Sequence, residues 1–149
     1  MSEAPPFPRP LPTPSRDSAF FWEGAARGEL LGQRCDGCRR YRHPPRPMCP
    51  HCGSLRWRAL PLSGLGRVHA WIRPVHPPLP MFEPGLIVAL IDLDEGLRLL
   101  SNLRGAAPEE VATGLRVEVF FETVAPGVAL PLFRPHRQDG RPRREAAGG

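Results

Sequence analysis

The chain contains no lysine; its 20 strongly basic side chains are all arginine. Alanine, glycine and proline are abundant, so this absence reads as the codon bias of a GC-rich genome rather than selection for arginine chemistry. Cysteine is scarce, with four in 149 residues, all between positions 35 and 52. Long hydrophobic runs are missing: the longest, Leu86–Ile91, falls far short of the ~20 residues that span a bilayer as a helix. No apolar segment follows a basic start at the N-terminus, so no secretory signal is expected and a cytoplasmic location is. Long helices are excluded as well. The 21 prolines are spread along the chain, and each costs about 3 kcal/mol inside a helix.

Leu, Ile, Val and Phe together number 36, enough for a small packed core. Pro and Gly together also number 36, near the level where disordered segments appear. The two populations occupy different stretches. The formal charge is +5, and would fall to +3 if four thiolates held one Zn²⁺. Such a balance suits phosphate-bearing ligands, nucleic acid or acidic protein surfaces, and is too mild to choose among them.

Six prolines in residues 1–14 predict an extended, disordered arm, or a strap laid over a partner. Residues 15–28 predict a helix, with Ser15 or Asp17 as its cap and Gly28 as its stop. Phe20, Phe21 and Trp22 are adjacent there. Neighbours on a helix point ~100° apart, so the three cannot share one face. They either pack in different directions within the chain or offer a docking surface to a partner. Residues 136–149 are polar and arginine-rich, and predict a disordered tail.

The cysteines form two knuckles, Cys35-Asp-Gly-Cys38 and Cys49-Pro-His-Cys52. A two-residue gap lets a tight turn aim both sulfurs at one ion, while turn N–H groups spread the thiolate charge. Gly37 and Gly53 are the expected positive-φ residues. Two such pairs predict a closed four-cysteine structural zinc site within a ribbon over 29–60. Iron in a rubredoxin-like site would use the same ligands. A closed site leaves no open coordination position for catalysis. His43 and His51 read as surface histidines, because four thiolates already complete the site. Arg39, Arg40, Arg42 and Arg46 lie between the knuckles, and read either as a phosphate-binding face or as a solvated surface.

The segment 61–135 predicts β-structure. In 65–73, Val68, Ala70 and Ile72 alternate with His69, Trp71 and Arg73. A proline-rich loop over 74–85 follows. A strand over 86–93, the turn Asp94-Glu95-Gly96 and a strand over 97–103 form a hairpin. A short helical turn begins at Pro108, and strands over 115–124 and 128–134 complete the set. Three strands, a short helix and two strands is the order of the five-stranded OB barrel.

From Phe20 to Pro135 the chain resembles a family of zinc-ribbon and OB-fold proteins that accompany acyl-CoA enzymes. The resemblance rests on Phe21-Trp22-Glu23; Gly28-Glu29-Leu30 leading to Arg34-Cys35; and the run Pro44 to Gly53. It continues through Gly64-Leu65-Gly66-Arg67-Val68, His76-Pro77-Pro78, Leu99 to Leu103 and Leu132-Phe133-Arg134-Pro135. It implies a mainly β fold: an N-terminal helix, a rubredoxin-like four-cysteine zinc ribbon, then an OB-fold barrel with a short helix between its third and fourth strands.

The same resemblance implies a non-catalytic accessory subunit. Its partner would be a thiolase, a lipid-transfer-protein-like enzyme, a MaoC-type hydratase or a steroid side-chain aldolase, whose acyl-CoA it helps to bind. On that reading Cys35, Cys38, Cys49 and Cys52 hold zinc. Phe20, Phe21 and Trp22 meet the partner. Arg39, Arg40, Arg42 or Arg46 reach the CoA phosphates, with Trp71 and His76 beside the acyl or pantetheine arm. The competing expectation is a nucleic-acid-binding module, for which Trp71 and Phe120 would be the outward stacking aromatics. No general acid–base pair stands out for a free-standing enzyme.

Overall fold

The computed structural model describes residues 8–137. A short helix, α1 (Ala19–Ala26), precedes a three-stranded ribbon sheet of β1 (Leu31–Cys35), β2 (Tyr41–Arg42) and β3 (Trp57–Pro61), ordered β2-β1-β3. Five further strands follow: β4 (Leu65–Ile72), β5 (Ile87–Leu93), β6 (Arg98–Leu103), β7 (Arg116–Ala125) and β8 (Val128–Pro135). They close into a barrel in the order β4-β5-β6-β8-β7. A 3-10 turn at Pro108–Glu110 lies between β6 and β7, with proline at its start and Glu110 accepting from the Ala107 N–H at 2.8 Å. Among the described residues, no helix is long and apolar enough to cross a membrane.

Helix α1 is shorter than its sequence suggests. Ser15 and Ser18 bond to each other instead of capping it: the Ser15 N–H donates to Ser18 Oγ at 2.9 Å. Neither Ser15 nor Asp17 is the cap residue, which is Ser18. The C-terminal stop is the expected one. Gly28 adopts φ 76°, its N–H donates to Ala25 O, and the Glu29 N–H donates to Gly24 O at 2.9 Å. This double bond pattern closes a helix through a left-handed glycine.

The barrel core is built from alternate positions of its strands. Val68, Ile91, Leu99, Val117 and Phe133 are buried and contiguous. Gly66 pairs with Leu93 on one side and Val117 on the other. A Cβ there would stand 2.5 Å from the Asp92 carbonyl oxygen, so only glycine lets β4 sit this tightly between its neighbours. The last seam, between β6 and β8, is parallel and rests on the single pair Leu103 and Phe133, supported by the Arg104 N–H on Phe133 O at 2.8 Å.

One strand departs from its sequence pattern. The register of β4 against β5 shifts between Val68 and Ala70. This bulge inserts one unpaired residue, and every side chain after it changes face. Ala70 and Ile72, expected to share the inner face with Val68, are therefore exposed, whereas Trp71 packs against the core.

The described part of the proline-rich arm also departs from expectation. Residues 8–14 run along the chain's own barrel. Arg9 donates to Asn102 Oδ1 at 2.6 Å and lies 5.1 Å over the Phe82 ring. The remainder of the expected arm (1–7) and most of the expected tail (138–149) lie outside the described residues.

Candidate functional site

The two knuckles are built alike. The Cys35 N–H donates to Arg40 O and the Cys49 N–H to Ser54 O, both at 2.9 Å. The Arg39 N–H donates to Cys35 O at 3.0 Å and the Gly53 N–H to Cys49 O at 2.9 Å. The residue after each second cysteine is thus the one forced into the left-handed region: Arg39 at φ 63° and Gly53 at φ 74°. Gly37 does not have the positive φ expected of it. It is small for a different reason, since a Cβ there would press to 3.3 Å from Cys52 Sγ.

All four sulfurs lie within 4.8 Å of one another. The pairs Cys35–Cys52 and Cys38–Cys49 stand 3.6 Å apart. A disulfide would need roughly 2 Å. Four sulfurs at about 2.3 Å from a central ion in a tetrahedron stand about 3.8 Å apart. The arrangement therefore fits a tetrahedral thiolate site. The turn N–H of Cys38, aided by the Gly37 N–H at 3.3 Å, draws the Cys35 thiol down to about 6. The His51 N–H likewise lowers Cys49. At Cys52 the Ser54 N–H pulls downward, but the neighbouring sulfurs and burial win and push it up to about 11. Four thiolates cannot share this space without a cation, and a divalent ion supplies one.

The ribbon arginines divide. Arg39 and Arg40 are exposed, and Arg40 approaches His51 Nδ1 at 3.0 Å. Arg46 is exposed as well. Arg42 is a correction: it is buried behind the sheet. Its Nε donates to Gln33 Oε1 at 2.9 Å and to Arg46 O at 3.1 Å. Buried Gln33 also donates to Arg46 O and accepts from the Arg46 N–H, both at 2.9 Å. Arg42 and Gln33 thus hold the second knuckle's approach loop from behind, and Arg42 does not face solvent where a phosphate would arrive.

The aromatic cluster turns inward. Phe20 lies against Trp57 of the ribbon, ring centroids 4.9 Å apart. Phe21 is buried and meets the edge of Trp22 at 5.0 Å and the ring of His43 at 5.4 Å. Phe20 and Phe21 thus pack against the ribbon and the core, and Trp22 lies half-buried beside them. His43, read as a surface residue, is half-buried here, and desolvation lowers its pKa. Trp71 lies on β4 and His76 in the loop that follows it. His76 is exposed; Trp71 is turned into the barrel.

Sequence reasoning missed the ion pairs that hold the 74–85 loop. Arg104 meets Glu83 at 2.7 Å and Glu122 at 3.2 Å, tying the loop to β6 and β7. Their positions lie far apart in the sequence, and nothing local signals the pairing.

Comparison with known proteins matches residues 22–58 to the ChsH2 rubredoxin-like zinc ribbon domain and residues 59–122 to the ChsH2 C-terminal OB-fold domain. The two matches cover most of the chain. This protein belongs to the ChsH2 (DUF35) family. The ChsH2-family chain of a solved structure described as "Ltp2-ChsH2(DUF35) aldolase" is 44% identical, covers 83% of this chain and 98% of its own, and superposes with a TM-score of 0.79. The "Probable enoyl-CoA hydratase alpha subunit" of Thermomonospora curvata is 45% identical over 85% of this chain. A "DUF35 domain-containing scaffold protein" of Methanocaldococcus jannaschii is 33% identical over 64% of this chain and 69% of its own length. The chain spans only 40% of the Thermomonospora subunit, and 35% of a similar hydratase alpha subunit from Mycobacterium tuberculosis. Within the ChsH2 family, then, are hydratase subunits, an aldolase partner and proteins named as scaffolds.

Proposed function

We propose that this chain is a non-catalytic scaffold subunit that docks on a thiolase-like, lipid-transfer-protein-like or MaoC-like enzyme of steroid or lipid side-chain metabolism and helps it hold an acyl-CoA. The observation that carries this reading is the 44% identity spanning nearly the whole of the ChsH2-family chain in the Ltp2–ChsH2 aldolase. Cys35, Cys38, Cys49 and Cys52 hold one structural Zn²⁺, which fixes the knuckles and takes no part in chemistry. Arg39, Arg40 and Arg46 meet the CoA phosphates from the exposed side of the ribbon, and His76 lies along the path of the acyl arm. The strain at Arg39 supports its role. The sister knuckle uses glycine at the same position, and a bulky side chain kept in the left-handed region costs roughly 1–2 kcal/mol.

The nucleic-acid reading is weaker. An OB-fold binds strands through aromatics on the face of its second and third strands. Here β5 and β6 carry no aromatic residue, and Trp71 turns inward. Phe120 is already stacked under Arg134, 5.5 Å from its ring.

Mixing the full chain with a purified Ltp2 aldolase subunit, with and without acyl-CoA, tests the proposal. A co-eluting complex that retains acyl-CoA better than either component alone is expected. Absence of both complex and retention rejects it. Metal analysis should find one zinc per chain; iron in its place would correct the cofactor and leave the fold intact.

A further inference from the structure

Strand β5 is apolar on its inner face and, short of Asp92, on its outer face as well. Ile87, Ala89, Ile91 and Leu93 point into the barrel and are buried, while Val88 and Leu90 point out. The register aligns their outer neighbours. Leu90 pairs with Ala70 on β4 and Leu100 on β6, and Val88 pairs with Ile72 and Asn102. The bulge in β4 is what turns Ala70 and Ile72 onto this face. Leu100 is 64% exposed and Ile72 62%. The row Ala70, Leu90 and Leu100 therefore offers apolar groups to solvent, and the adjacent row adds Ile72 and half-buried Val88 before closing on Asn102, which Arg9 engages at 2.6 Å. The outward face of an antiparallel sheet is normally polar. A contiguous apolar patch rimmed by polar residues marks an interaction site. Leu100 extends the patch into a cleft of about 340 Å³ between α1, the Pro44–Pro45 turn and β8.

The next row along the strands is ionic and mainly basic. Arg67 and Arg98 flank Asp92 across the three strands. Arg98 engages Asp92 at 2.6 Å, and His69 Nδ1 lies 3.1 Å from the same carboxylate. Beyond the turn, Asp94 pairs with Arg116. Arg73, exposed at the end of β4, adds a further cation on the opposite side. The rim thus carries more arginines than carboxylates.

We propose that the outer face of β4, β5 and β6, centred on Ile72, Leu90 and Leu100, is the surface on which the partner enzyme sits, and that the partner presents apolar side chains ringed by carboxylates. This inference rests on the scaffold reading above and adds the location and chemistry of the contact. Charge complementarity selects an acid-rimmed protein surface. The lack of aromatics on β5 and β6 argues against a nucleic acid on the same face.

The probe is a purified Ltp2 aldolase subunit, titrated calorimetrically with the full chain, with Leu100→Asp and with Ile72→Asp. Both sites are exposed, and thermal melting verifies that each variant folds. Each substitution should weaken binding at least tenfold, and Arg67→Glu should weaken it more at low salt than at high salt. If the unmodified chain binds and both aspartate variants bind equally well, the location is overturned while the scaffold reading stands. If the unmodified chain does not bind, both fall. Self-association, or single-stranded DNA binding, lost in the same variants would assign the face to another occupant and overturn the proposal.

Discussion

Arg39 and Gly53 occupy the same position in two turns with the same hydrogen-bond pattern, one residue past the second cysteine, with φ of 63° and 74°. Glycine reaches that conformation without steric cost and arginine does not. Arg39→Gly should therefore raise stability by about 0.5–1 kcal/mol, seen as a higher denaturant midpoint. The same variant should bind acyl-CoA more weakly in the partner complex. A variant with unchanged stability and unchanged CoA retention would remove the functional reading of Arg39.

The four sulfurs are crowded enough to need a cation. Cys35→Ser is expected to lose the bound zinc and to expose Trp57 on the ribbon, measurable by metal content and tryptophan fluorescence. Chelation of the unmodified chain should do the same, because metal binding supplies the folding energy of small ribbons. A Cys35→Ser protein that kept one equivalent of zinc would contradict the assigned ligands.

The bulge in β4 gives opposite fates to adjacent side chains. Trp71→Ala removes a ring packed on the core and should cost about 2–3 kcal/mol, below the full-burial range because the residue is only half-buried. Ile72→Ala, on the exposed face, should change stability by less than about 0.5 kcal/mol. Chemical denaturation of the two variants distinguishes this register from the unbroken alternation that the sequence suggests, which predicts the reverse.

His43 is neutral in the folded chain because burial against Phe21 disfavours its charged form. Its folded pKa lies below its unfolded value of about 6.5. The unfolded chain therefore binds the extra proton first as pH falls. Stability from this site is complete above about pH 6.5 and declines as pH drops toward the folded pKa. His43→Phe should flatten the slope of the melting temperature between pH 7 and pH 5.5. An unchanged slope would assign the acid sensitivity elsewhere.

Much of the fold was legible in the sequence. Knuckle spacing located the four-sulfur cluster, and the strand runs with the Asp94-Glu95-Gly96 turn located the barrel. What stayed hidden depended on distant partners. Alternation in 65–73 could not reveal a bulge, because an extra unpaired residue leaves the local pattern intact and only the pairing with β5 exposes it. Arg42 looked like its neighbours between the knuckles, but its burial is set by Gln33, nine residues earlier on the adjoining strand. Gly37 was singled out by residue type, whereas backbone geometry placed the left-handed turn at Arg39. The aromatic triplet allowed inward or outward packing, and only the positions of Trp57 and His43 decide between them.

The barrel's single parallel rung, Leu103 with Phe133, makes its wall unequally fastened. Every other seam carries an antiparallel ladder of at least three rungs. Thermal breathing should start at this weak stave. The Arg104 guanidinium, next to Leu103 and joined to Glu83 and Glu122, then acts as a clasp across the gap. Amide exchange along β8 should therefore quicken when Glu83 or Glu122 is replaced and the clasp is released.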